Sequence, residues 1–252
     1  MSKIIAIAQQ KGGVGKTTTA INLGAALLER DKRVLVVDLD PQGALSVGLG
    51  INPLTLEKTV YDVLSTETPL SEILISTDSG LEIAPADLNL SASELELVSE
   101  TGREYFLREN LSEVERVYDY ILIDCPPALG LLTINALTAA THVLIPVQTE
   151  FLALRGMSLL FQTIEKVKKR LNRKLTVLGI LPTLFNAQTT HAREVLEKLR
   201  EDYGDQVLKT VIPRTTKLAD STIGGESILK FAPESPATEA YRNLAREVES
   251  YG

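Results

Sequence analysis

The stretch AIAQQKGGVGKTTTAINL carries the residue types that hold a polyphosphate. Gly12, Gly13 and Gly15, with Val14 between them, let backbone N–H groups wrap close to phosphate oxygens. Lys16 supplies a counter-charge for the β- and γ-phosphates, Thr17 offers its hydroxyl to Mg2+, and Thr18 can bond the α-phosphate. The usual spacing of such a loop opens with glycine. Here Gln10 stands in that place and a second lysine, Lys11, follows it. A glycine-rich turn that merely caps a helix is the plain alternative, and it leaves the adjacent Lys-Thr pair without a purpose.

A magnesium–polyphosphate site also needs carboxylates. VLVVDLDPQG closes an apolar run with Asp38 and Asp40, and YILIDCPP closes another with Asp124. Acids directly after apolar runs stand where open α/β sheets bind their ligands. Asp124 is the expected holder of the metal, through a water, with Asp38 beside it. Any one of the three could equally be a helix cap or a turn residue. Three of them beside a phosphate loop point to a site. Cys125 reads as a small packing residue.

The elements that must position these groups are legible as alternating patterns. Nearly continuous Ile/Val/Leu runs predict strands at 3–8, 33–38, 81–84, 120–124, 142–147, 176–181 and 207–212. Helix-period segments lie between them at 16–30, 92–111, 152–171, 190–203 and 236–251. The alternation predicts an α/β fold: a doubly wound, mostly parallel sheet flanked by helices on both faces. Residues 44–80 read as short helices and loops on one edge. With no repeat, linker or boundary, residues 1–252 read as a single domain.

Five segments together resemble the ParA/MinD family of deviant-Walker P-loop ATPases, and within it the short Soj-like partitioning proteins. They are KGGVGKTTTAINLGAAL, VLVVDLDPQG, YILIDCPPALGLLTINALTAA, VLIPVQTEFLALRG and VIPR. The resemblance implies ATP and Mg2+ as ligands, an ATP-dependent homodimer and weak ATPase activity. It also implies non-specific DNA binding and a ParB-like or cargo-adaptor partner that stimulates hydrolysis. Lys11 matches the lysine that reaches across the dimer to the partner's phosphates, a role like that of an arginine finger. Asp40 would orient the attacking water, Asp38 would support the metal and Lys16, and Glu150 would contact the partner subunit. Asn186, Pro213 and Arg214 fall where the family surrounds adenine.

Two departures concern DNA. Where the family reads IPRNVRLSEAPSHGKP, this chain reads IPRTTKLADSTIGGES, so Lys217 stands for an arginine; Gln188 in NAQT replaces another. With a formal net charge of −7, any DNA contact must be a local patch. The candidates are Lys217, Arg214 and Arg193, together with Lys168, Lys169, Arg170 and Arg173 from a run that could also be a solvated helix end.

The single cysteine excludes an internal disulfide and fits a cytoplasmic protein, associated with the nucleoid when ATP is bound. No apolar run has the length of a membrane span, so no stable membrane association is expected. Three other functions compete. A MinD-like membrane-surface switch in cell-division placement would need a basic amphipathic tail, and a metabolic or metal-delivery ATPase would need a substrate-specific or cysteine-rich site. A DNA-reading repressor would need a helix-turn-helix ahead of the first strand, which begins at residue 3.

Overall fold

Strand β1, Lys3–Ile7, has four apolar residues in succession, and all four are buried. Alternate side chains point to opposite faces of a sheet. Ile4 and Ala6 therefore join one core layer while Ile5 and Ile7 join the other. The computed structural model describes residues 2–66, 68–150 and 156–251. Within them the remaining strands are β2 (Val34–Asp38), β3 (Ile75–Ser76), β4 (Glu82–Ala84), β5 (Tyr120–Asp124), β6 (His142–Gln148) and β7 (Thr176–Thr183). They form one sheet in the order β3-β4-β2-β5-β1-β6-β7. Only the short β3 runs antiparallel to its neighbour.

Helices cover both faces. On the face of Ile5 and Ile7 lie α1 (Lys16–Leu28), α2 (Ala44–Gly48), α9 (Lys217–Ile223), α10 (Ile228–Phe231) and α11 (Pro236–Ser250). On the other lie α3 (Val60–Ser65), α4 (Leu90–Glu96), α5 (Phe106–Val114), α6 (Leu131–Ala139) and α7 (Met157–Arg170). The helix α8 (Thr190–Tyr203) packs at the β7 edge, with Tyr203 stacked on Phe161 at 5.6 Å. The doubly wound, mostly parallel architecture is as expected. The described residues of 44–80 are short helices and turns, as expected, together with the two-residue edge strand β3.

Three segments differ. Residues 207–212 form no strand: an isolated bridge joins Val207 to Ile180. The reason is a tertiary contact: the Lys209 and Thr210 N–H groups donate to the Glu247 carboxylate of α11 at 2.7 and 3.0 Å rather than to a ladder. The helix expected over 92–111 is two helices, α4 and α5, broken where Gly102 takes a left-handed φ of 75°. Helix α6 escaped the pattern because LLTINALTA is buried on nearly every side and so has no polar stripe. Residues 152–155 of the expected 152–171 helix lie outside the described residues; α7 accounts for the rest.

Candidate functional site

All the strands that matter here run parallel, so their C-terminal ends share one edge of the sheet. β1 lies between β5 and β6, and the chain crosses to β2 on one side and to β7 on the other. That reversal opens a crevice at the strand ends, and the loop after β1 sits in it.

The loop is pinned at both ends. The buried Gln9 accepts from the Gln10 N–H at 2.9 Å and donates to the Pro146 carbonyl at 3.4 Å. Val14 is buried, and its carbonyl accepts from the Thr183 hydroxyl at the end of β7, 2.7 Å away. Gly13 and Gly15 take φ of 71° and 89°, a region that glycine enters without steric cost. Gly12 and Gly13 are exposed. Helix α1 begins at Lys16 with no side-chain cap and no acid in its first turn. Its free N–H groups and its dipole therefore present an anion site.

Lys16 is 6% exposed, and its charge acts on the Asp124 carboxyl. Asp38 and Asp124 are paired residues on adjacent strands, both wholly buried. They differ in how they are satisfied. Asp38 accepts from the Ser46 N–H and hydroxyl at 2.9 and 2.8 Å and from the Asp40 N–H at 3.2 Å. Burial still pushes its carboxyl up to about 6, with those hydrogen bonds opposing. Asp124 has no hydrogen-bond partner for either oxygen among the described residues. Burial first, then the Asp38 charge, hold its carboxyl well above the usual range; the Thr17 hydroxyl and Lys16 offset part of this.

An orphaned buried carboxylate beside a hydroxyl and an uncapped helix is costly in the empty protein. A bound cation removes that cost. The donor set suits Mg2+, which takes one or two carboxylates plus substrate phosphates rather than an all-protein cage.

Asp40 is half-buried on the turn after β2, where its carboxylate accepts from the Gln42 N–H at 3.0 Å. Lys11, half-exposed, donates to Gln148 Oε1 at 3.1 Å and lies 3.5 Å from Glu150 Oε2 of its own chain. Beyond β7, the Arg214 N–H donates to the Phe185 carbonyl and Phe185 bridges Pro213, which brings Asn186, Pro213 and Arg214 together. Cys125 is buried beneath the site, and burial pushes its thiol far up, as suits a packing residue.

The basic residues do not form one patch. Arg193, Arg214 and Lys217 follow β7 at the C-terminal edge of the sheet. Lys168, Lys169 and Arg170 end α7, and Arg173 leads into the start of β7, at the opposite edge. Sequence reasoning did not find Thr183, Ser46 or Gln148. Thr183 reaches the loop at Val14 only through tertiary pairing and Ser46 reaches Asp38 through the fold of the turn after β2, while Gln148, two residues before Glu150, was within reach of the motif.

A family model described as an AAA domain matches residues 2–177. Another, described as 4Fe-4S iron sulfur cluster binding proteins of the NifH/frxC family, matches residues 117–251. Cluster ligation takes several thiolates and this chain has one buried cysteine, so the second match speaks for shared fold. The sporulation initiation inhibitor protein Soj of Bacillus subtilis is 47% identical over 253 residues, covering 100% of both chains. The chromosome partitioning protein ParA of Caulobacter vibrioides is 43% identical over 251 residues, covering 98% of this chain and 94% of its own. The crystal structure of cobyrinic acid a,c-diamide synthase from Mycobacterium smegmatis with bound ADP and magnesium has a TM-score of 0.88. It is 42% identical and covers 98% of this chain and 93% of that one. Identity of this order along the full length, over the same sheet, puts the chain in the ParA/MinD family of deviant-Walker P-loop ATPases, enzymes that use ATP and Mg2+.

Proposed function

We propose that this ATPase is a switch that dimerises on ATP, binds DNA without sequence preference, and partitions or positions a cargo. A ParB-like or adaptor protein stimulates its hydrolysis. The relatives' names, Soj and ParA, support the partitioning role. The observation that carries the nucleotide site is Asp124, a buried carboxylate with neither oxygen partnered, beside the open N-terminus of α1.

In this reading the loop N–H groups and Lys16 bind the phosphates, while Thr17 and Asp124 hold Mg2+. When bound, the ion neutralises phosphate charge in the transition state. Asp38 acts one step back, because both its oxygens anchor the turn that carries Asp40 and Ser46. Asp40 orients the water whose oxygen bonds to the terminal phosphorus as the bond to ADP breaks. Lys11 leaves Gln148 and Glu150 to reach the phosphates of the second subunit, so dimerisation requires the triphosphate. Asn186, Pro213 and Arg214 flank the base.

The membrane-surface alternative finds no support in the last helix. The apolar face of α11, with Tyr241, Leu244 and Val248, is buried in the core beneath the sheet and α1. No helix among the described residues is long and apolar enough to cross a membrane. The nucleotide assignment is tested by titration calorimetry of ATP with Mg2+. Wild type binds, and Lys16→Ala loses binding because the main counter-charge of the loop is gone. Unchanged affinity in that variant contradicts the assignment.

A further inference from the structure

The run Gly12-Gly13-Val14-Gly15 bends tightly because it is mostly glycine, and the same freedom leaves its backbone underdetermined. The peptide unit between Val14 and Gly15 is trans, so its C=O and N–H point to opposite sides. Turning that unit over changes only the ψ of Val14 and the φ of Gly15. Glycine enters either sign of φ without steric penalty, so the loop itself does not choose between the two orientations. The choice matters to an anion. One orientation offers it an N–H donor, and the other offers it a carbonyl oxygen.

In the structure a contact from outside the loop makes the choice. The Thr183 hydroxyl donates to the Val14 carbonyl at 2.7 Å, and no other group among the described residues donates to that oxygen. The methyl group of the same side chain lies 4.0 Å from the place a Cβ on Gly15 would take, so Thr183 borders both halves of the unit. Thr183 is itself held from behind. It is buried at the end of β7, opposite Gln148 in the β6–β7 register. Its carbonyl accepts from the Thr149 N–H at 3.1 Å, and the adjacent Pro182 carbonyl accepts from the Ile212 N–H at 2.9 Å. A hydroxyl on a strand end supported in this way can fix the orientation of a pliant neighbour.

We propose that Thr183 is a positioning residue for the nucleotide: by holding the Val14 carbonyl against β7, it aims the Gly15 N–H away from that strand and into the space the phosphates occupy. It acts through the loop and not on the nucleotide. Without the hydroxyl the buried carbonyl loses its donor, the unit is free to turn over, and an oxygen meets the phosphates in place of an N–H. A packing role would require the methyl group and not the hydroxyl. The inference rests on the reading of this loop as the phosphate site.

Titration calorimetry of ATP with Mg2+ tests it on the wild type and on substitutions at this position. Thr183→Val keeps the shape and removes the hydroxyl. Thr183→Ser keeps the hydroxyl and removes the methyl group, and Thr183→Ala removes both. Affinity in Thr183→Val and in Thr183→Ala should fall by about tenfold or more, while Thr183→Ser stays within about threefold of wild type. Circular dichroism of the nucleotide-free proteins checks the fold. Should Thr183→Val melt below the assay temperature, the contrast between Thr183→Ala and Thr183→Ser decides. Wild-type affinity in Thr183→Val, or a fall in Thr183→Ser equal to that in Thr183→Ala, overturns the inference in favour of packing. Wild-type affinity in every variant overturns the inference alone, whereas a wild type that does not bind overturns the reading of the loop and this inference with it.

Discussion

Lys11 and Glu150 form an ion pair within one chain, at 3.5 Å, with side chains 39% and 48% exposed. Gln148 closes the triangle, accepting from Lys11 at 3.1 Å and donating to Glu150 at 2.6 Å. A pair this exposed contributes about 0–1 kcal/mol. That is weak enough for a triphosphate in a second subunit to displace it. In the isolated chain the lysine is parked rather than anchored.

The first prediction follows from that weakness. Glu150→Gln should move the melting temperature by no more than about 2–4 °C, since about 1 kcal/mol produces that shift in a chain of this size. Scanning calorimetry of the nucleotide-free protein measures it. A fall several times larger would make the pair a structural strut and count against its release.

The second concerns pH. The carboxyls of Asp38, at about 6, and of Asp124, held well above the usual carboxylate range, are raised by burial first of all. A raised carboxyl contributes stability that is present below its unfolded value and lost as pH climbs through the folded one. For Asp38 the loss runs between about pH 4 and 6 and amounts to about 3 kcal/mol. Asp124→Asn removes the unpartnered charge and should therefore melt higher than wild type near neutral pH, by a few degrees. The advantage should shrink as pH falls toward 5. A variant less stable than wild type at neutral pH, or a difference independent of pH, contradicts the reading of Asp124.

The third prediction separates the two basic sets. Lys217, Arg193 and Arg214 share the sheet edge with the nucleotide loop, whereas the α7 set lies at the far edge. If ATP controls DNA binding, the near set carries it. Lys217→Glu should weaken binding of random duplex by the ATP-bound protein and lower its salt dependence. Lys169→Glu with Arg170→Glu should leave both nearly unchanged. Anisotropy with ATP and with ADP measures this; the reverse pattern moves the interface to α7.

Much of the fold was legible because β1, β2, β5, β6 and β7 are apolar on both faces, a pattern that does not depend on context. What escaped depended on tertiary partners. Helix α6 has no polar face to reveal it, and Glu247 diverts the backbone of 209–210 from a ladder. At the site, Lys16, Thr17 and Asp124 could be read from spacing and from their place after apolar runs. The Ser46 clamp on Asp38 and the Thr183 anchor on Val14 could not, since the first depends on how the turn after β2 folds α2 back across 8 residues, and the second on sheet order bringing β7 beside the loop across 169. The basic residues looked like one patch because linear sequence does not show which end of a strand each one occupies.

The central claim is that Lys11 couples ATP to dimerisation while Asp40 serves hydrolysis afterwards. Multi-angle light scattering with ATP and Mg2+, paired with calorimetric binding, tests it on one set of proteins. Wild type should form a transient dimer. Lys11→Ala should bind ATP and stay monomeric, and Asp40→Ala should accumulate as an ATP-bound dimer. Dimers in both variants, or monomers in both, would contradict the account.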